Sequence, residues 1–100
     1  MKRLRISALA RADLADIRAF GAEQWGAEQA EKYGRMLLNR LKFLRRWPNA
    51  GVALDETIDG LRHLPVGSHA VYYLEQGDYL IISRILHRRM DYRRRVSSLD

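Results

Sequence analysis

Cysteine is missing from all 100 residues, which removes disulfide frameworks, thiolate metal centres and cysteine nucleophiles together. Proline occurs twice, at Pro48 and Pro65, and no linker or low-complexity tract interrupts the chain. No apolar run reaches the length of a secretory leader or a membrane span, so the expected location is the cytoplasm, with no membrane partner. There is no glycine-rich phosphate loop and no serine in a nucleophile-elbow setting, so the enzyme templates most legible in sequence are absent. Lysine is scarce too. It is found at Lys2, Lys32 and Lys42 and nowhere beyond.

Arginine supplies the charge instead, with fifteen residues and a formal net charge of +6. A chain this basic favours a polyanionic partner, whether nucleic acid or an acidic protein segment. Hydrophobic residues make up 47% and charged residues 30%, enough apolar material for one packed core. At this length a single domain over residues 1–100 is expected.

Periodicity gives the order of elements. Arg3 to Ile6 fits a short strand, and Ser7 stands where a helix N-cap belongs. Ala10, Leu14, Ile17 and Phe20 then recur at spacings of three and four, predicting a helix from Ala8 to about Gln24 that Gly26 ends. Arg11, Asp13, Asp16 and Arg18 fall mostly off that stripe. A second helix from Ala27 to Arg46 places Ala30, Tyr33, Leu37, Leu41 and Leu44 on one face. Its acids lie early (Glu28, Glu31) and its cations late (Arg40, Lys42, Arg45, Arg46), as the helix dipole prefers. So short a connection predicts an antiparallel helical hairpin.

Residues 48–60 read as a loop carrying Asp55, Glu56 and Asp59. Leu61 to Leu64 reads as a strand that Pro65 and Gly67 terminate, and His69 to Glu75 as the next. Gln76, Gly77 and Asp78 form a hairpin turn before a strand from Tyr79 to Leu86. One or two helical turns are expected between Met90 and Val96. The order β-α-α-β-β-β predicts an α+β fold in which a helical hairpin packs on an antiparallel sheet, followed by a short basic C-terminal helix.

Six arginines crowd the last seventeen residues: Arg84, Arg88, Arg89, Arg93, Arg94 and Arg95. Guanidinium groups bind phosphates and carboxylates bidentately, although such a run also serves simply as a solvated basic tail. Arg84 differs because it lies inside an apolar strand, where it is either paired with an acid or placed at a site. His87 follows that strand and has the chemistry of a general acid or base, or of a hydrogen-bonded strand end. His63 and His69 stand on different strands without paired acids, so no metal and no cofactor is expected. Tyr72 and Tyr73, being adjacent, point to opposite faces of the sheet.

Asp13-Leu14 with Ile17, then Pro48, Gly51 and Leu61-Arg62, resemble the ParE branch of the ParE/RelE toxin superfamily. So does the closing stretch from Tyr73 through Arg84-Ile85-Leu86-His87-Arg88-Arg89-Met90-Asp91, and the likeness runs in order from Leu9 to about Val96. The resemblance implies the RelE/ParE-like fold and a bacterial type II toxin that inhibits DNA gyrase by binding rather than by catalysis. It also implies neutralisation by a ParD-like antitoxin, with DNA engaged only indirectly, through the antitoxin complex. On that footing Arg84, His87, Arg88, Arg89, Asp91, Arg93, Arg94 and Arg95 are the expected target contacts. Leu9, Leu14, Ile17, Phe20, Tyr33, Leu37, Leu41, Arg62 and Tyr73 are the expected antitoxin contacts, in a groove between hairpin and sheet. The RelE branch, which cuts messenger RNA on the ribosome, is the alternative, and Arg62, Arg84, His87 and Tyr92 would then be the catalytic candidates. A relic that only binds antitoxin is a further one.

Overall fold

The computed structural model describes residues 1–54 and 58–96, so Asp55 and Glu56 of the expected acidic loop lie outside the described residues. Strand β1 (Arg3–Ile6) leads into helices α1 (Ala8–Trp25) and α2 (Ala27–Arg46). Strands β2 (Val52–Ala53), β3 (Arg62–Val66), β4 (His69–Gln76) and β5 (Tyr79–His87) follow, then a 3-10 turn at Tyr92–Arg94. Ser7 caps α1 as expected. Its hydroxyl accepts from the Ala10 amide at 3.0 Å and donates to the Ser83 carbonyl at 2.7 Å, joining helix start to sheet.

The five strands form one sheet in the order β1-β5-β4-β3-β2. The meander β2 to β5 is antiparallel, but β1 runs parallel to β5, pairing Arg3 with Tyr79 through to Ile6 with Ile82. The sheet is therefore mixed rather than purely antiparallel. No tight turn joins β1 to β5, because the helices and the meander intervene, so hairpin geometry does not dictate its direction. Both tight hairpins place glycine first in a two-residue turn. Gly67 has φ +60° and Gly77 φ +59°, backbone that an L side chain adopts only under strain.

Two expectations need correction. Pro65 lies within β3 and does not end it. Strand β2 pairs only with Arg62 and His63, so beside Pro65 the outer side of β3 is an open edge, where a missing amide costs little. The loop 48–60 also contains β2, too short for a periodic signal.

A register shift in β4–β5 sets the faces of the sheet. Tyr72 pairs with Arg84 but Tyr73 pairs with Ile82, which leaves Ser83 as an extra residue. Ile82 and Ile85 consequently share the core under the helices with Leu37, Leu41, Leu44, Val71, Tyr73 and Leu80. Tyr72, on the opposite face as expected, joins Leu61, Ala70, Leu74, Leu86 and Val96 in a second core that Leu54, Ile58 and Tyr92 cover. Both sheet faces are thus occupied. Leu37, Leu41 and Tyr73, expected to touch an antitoxin, are sealed inside the first core and offer it no surface.

Tyr73 also organises the loop beyond α2. Its hydroxyl accepts from the Gly51 amide and donates to the Pro48 carbonyl, both at 2.8 Å. Removing that hydroxyl leaves the buried Gly51 amide without its acceptor. Tyr73→Phe is expected to destabilise the fold by about 1–3 kcal/mol in urea unfolding, whereas Tyr79→Phe, at an exposed position, is expected to leave the midpoint unchanged.

Candidate functional site

The pairing of β1 with β5 ends at Ile6 and Ile82, so among the described residues the outer edge of β5 from Ser83 onward has no strand partner. Asp13 of α1 fills that gap. Its carboxylate accepts from the Ile85 amide at 2.9 Å and takes both Nε and Nη2 of Arg84, at 2.8 and 2.9 Å. The Arg84 side chain is 15% exposed and that of Asp13 11%, so the pair is close to dry. The hydrogen bonds that Arg84 donates to Asp13 raise its pKa above the ordinary value, burial opposes that rise, and the carboxylate charge adds to it. Nη1 of Arg84 also donates to the Arg95 carbonyl at 3.3 Å. One guanidinium thereby links α1, on one face of the sheet, with the C-terminal segment that covers the other.

One reading is corrected. Asp13 is buried on the core side of α1, while Phe20, at the end of the predicted stripe, is exposed. Helical spacing ranked them by hydropathy and could not show that a strand arginine would satisfy the acid. Arg84, read as either paired with an acid or placed at a site, is paired with Asp13 and also lines a cleft with His87 and Arg95.

Beside this pair lies an apolar cleft of about 320 Å³, lined by Asp16, Ile17, Phe20, Trp25, Ser68, His69, His87 and Met90. A run of aromatic rings crosses it. Phe20 meets Trp25 at 6.5 Å, Trp25 meets Tyr33 at 5.8 Å, Tyr33 meets His69 at 5.5 Å and His69 meets His87 at 5.6 Å. Tyr33 is held by its hydroxyl, 2.6 Å from His69 Nδ1 and 3.0 Å from the Ser68 amide that donates to it. Phe20, Trp25 and Met90 remain exposed at 59%, 47% and 42%. Of the expected antitoxin contacts, Ile17 and Phe20 line this cleft, Tyr33 packs against its Trp25 and His69, Leu14 is half-buried on α1, and Leu9 is exposed earlier on that helix. Arg62 is remote from it, donating to the Gly51 carbonyl at 2.8 Å. Trp25, His69 and Met90 were missed as site residues. A tryptophan beside the Gly26 bend was the available signal.

The remaining arginines surround the end of β5. Arg88 and Arg89 are exposed, and His87 Nδ1 accepts from the Arg89 amide at 3.1 Å. Asp91 caps the 3-10 turn by accepting from the Arg93 amide at 3.1 Å. Arg93 lies over the Tyr92 ring at 5.3 Å, and Arg94 and Arg95 are exposed. Tyr92 itself stacks on Tyr72 at 5.2 Å. Of the ribonuclease candidates, Arg84 and His87 line one cleft, Arg62 donates to the Gly51 carbonyl and Tyr92 stacks on Tyr72.

Comparison with known proteins agrees with this architecture. The family described as ParE toxin of type II toxin-antitoxin system, parDE, matches residues 4–92. Toxin ParE1 of Caulobacter vibrioides is 37% identical over 93 residues, covering 93% of this chain and 96% of that protein. Toxin ParE1 of Mycobacterium tuberculosis is 38% identical over 90 residues, covering 89% and 92%. A solved structure of the chromosomal ParDE TA system from P. aeruginosa contains a chain that superposes with a TM-score of 0.77 at 25% identity, covering 87% of this chain and 96% of that one.

Burial holds the pKa of His69 below its ordinary 6.5, and His87 pushes it in the same direction, against a smaller opposing pull from Asp13. The unfolded chain therefore binds this proton before the folded one does. Its contribution is intact above pH 6.5 and declines as pH falls from there toward the lowered value. The urea midpoint is expected to drop between about pH 7.5 and 5.5, and His69→Gln is expected to reduce that drop.

Proposed function

This chain belongs to the ParE toxin family of type II toxin–antitoxin systems, and from that membership we propose that it arrests DNA gyrase by binding and is silenced by a ParD-like antitoxin. Its target surface is the guanidinium cluster at the end of β5, formed by Arg88, Arg89, Arg93, Arg94 and Arg95 with His87 at its root. Arg84 supports that surface from within, since its Nη1 bond to the Arg95 carbonyl anchors the segment that carries it. The antitoxin's apolar face occupies the cleft at Ile17, Phe20, Trp25 and Met90, where exposed aromatic surface lies next to the arginines. A disordered acidic and hydrophobic segment that folds on binding complements both features.

The observation that supports binding over catalysis is the engagement of the groups a nuclease would need. Arg84 is locked to Asp13, Arg62 to a backbone carbonyl and Tyr92 to a ring stack. Phosphodiester cleavage requires cations and an acid free to converge on one phosphate, and each of these side chains is already held by a partner within the fold. On this proposal the protein is a non-enzymatic poison acting in the cytoplasm.

A plasmid supercoiling assay with purified gyrase tests it. Added toxin is expected to block supercoiling or accumulate linear DNA, and Arg88→Ala with Arg89→Ala is expected to raise the toxin needed by on the order of tenfold. Unaltered gyrase turnover together with cleavage of translated messages would contradict the proposal. Phe20→Ala and Trp25→Ala are expected to weaken capture by the antitoxin, read by calorimetry, while leaving the gyrase effect in place.

A further inference from the structure

The outer face of α2 lies away from both the apolar cleft and the closing arginines. From Lys32 to Arg46 this helix carries Lys32, Arg35, Arg40, Lys42, Arg45 and Arg46 and not one carboxylate. Its buried residues Ala30, Gly34, Leu37, Leu41 and Leu44 take up the opposite face, so the exposed cations project outward from the core. A shallow depression on this face is lined by Lys32, Arg35, Met36, Asn39, Arg40 and Phe43. A second, at the end of the helix, adds Lys2, Arg3, Arg45 and Arg46, and Asp78 is the one carboxylate lining either of them.

Local contacts hold the cations in place. The Arg40 guanidinium lies 5.8 Å above the Phe43 ring. Arg45 donates from Nε to the Lys2 carbonyl at 2.8 Å, tying the N-terminal strand to the end of the helix. Arg35 faces Glu31 at 3.7 Å, but both side chains are about 60% exposed (62% and 59%), and a pair so hydrated restrains the guanidinium weakly.

We propose that this face of α2, continued by Lys2 and Arg3, binds the phosphate backbone of duplex DNA. The ridge from Lys32 to Arg46 is about 21 Å long at 1.5 Å per residue, well over half a helical turn of the duplex. Arginine at intervals along a convex helix suits a regular row of phosphates, each able to accept a bidentate pair of hydrogen bonds. Met36 and Phe43 are the apolar residues of the depression, and cations flank them on both sides along the helix. This face is distinct from the proposed gyrase surface, and its test uses no gyrase.

Fluorescence anisotropy with a labelled duplex about two helical turns long, from about 50 to 200 mM KCl, measures this directly. The wild-type protein is expected to bind with a steep dependence on salt. Arg40→Glu with Arg46→Glu is expected to weaken binding at least about tenfold and to flatten the slope by about two, near 0.9 for each phosphate no longer neutralised. Arg93→Glu with Arg94→Glu makes the same change in net charge elsewhere and is expected to cost far less. Circular dichroism checks folding, and Lys32→Ala with Arg35→Ala gives a milder variant with the same predicted direction. Equal losses in the two charge-reversed proteins would overturn the proposal, because net charge alone would then explain binding. Tighter binding of a single strand or of a poly-glutamate peptide would overturn it as well.

Discussion

A carboxylate and a guanidinium hold this fold together at the place where its sheet would otherwise come open. Strand β1 covers only the first half of β5, and beyond Ile82 the strand would carry unpaired backbone at a buried edge. Asp13 supplies the missing acceptor to the Ile85 amide, and Arg84 neutralises Asp13 with two parallel hydrogen bonds. A buried charge on either residue alone would carry a desolvation cost of several kcal/mol. Together with the amide they satisfy one another, and the remaining Nη1 of Arg84 reaches the C-terminal segment.

The division of the arginines follows from that arrangement. The one within the apolar strand is structural, whereas Arg93, Arg94 and Arg95 are displayed on a turn that Asp91 caps and Tyr92 anchors by stacking on Tyr72, and Arg88 and Arg89 are exposed just before it. A segment with so few apolar residues needs such anchors to hold its cations in a defined arrangement. Val96, buried in the second core, provides another. The apolar cleft borders the same strand end. An occupant there would lie close to the guanidinium groups.

Much of the architecture was legible in the sequence because it rests on periodicity and punctuation. Ser7, Gly26, Gly67 and Gly77 mark element boundaries by chemistry that local sequence displays. The parallel pairing of β1 was not legible, since strand direction between distant segments leaves no local trace. Nor was the extra residue at Ser83, which places Ile82 and Ile85 on one face against the alternating pattern. The site was less legible than the fold. Leu37, Leu41 and Tyr73 have the composition of a docking surface, yet the α2–sheet contact consumes them. The cleft that is open instead draws Trp25, His69, His87 and Met90 from three parts of the chain, and only the tertiary structure brings them together.

The central claim is that Asp13 and Arg84 act as one internal unit on which the edge of β5 depends. A double-mutant cycle on unfolding free energy, using Asp13→Ala, Arg84→Ala and the double variant, measures it most directly. The account predicts that each single change costs about 3–5 kcal/mol, and that the double change costs well under their sum, a coupling of at least about 1.5 kcal/mol. Additive losses would contradict it, because the two residues would then be serving the fold independently.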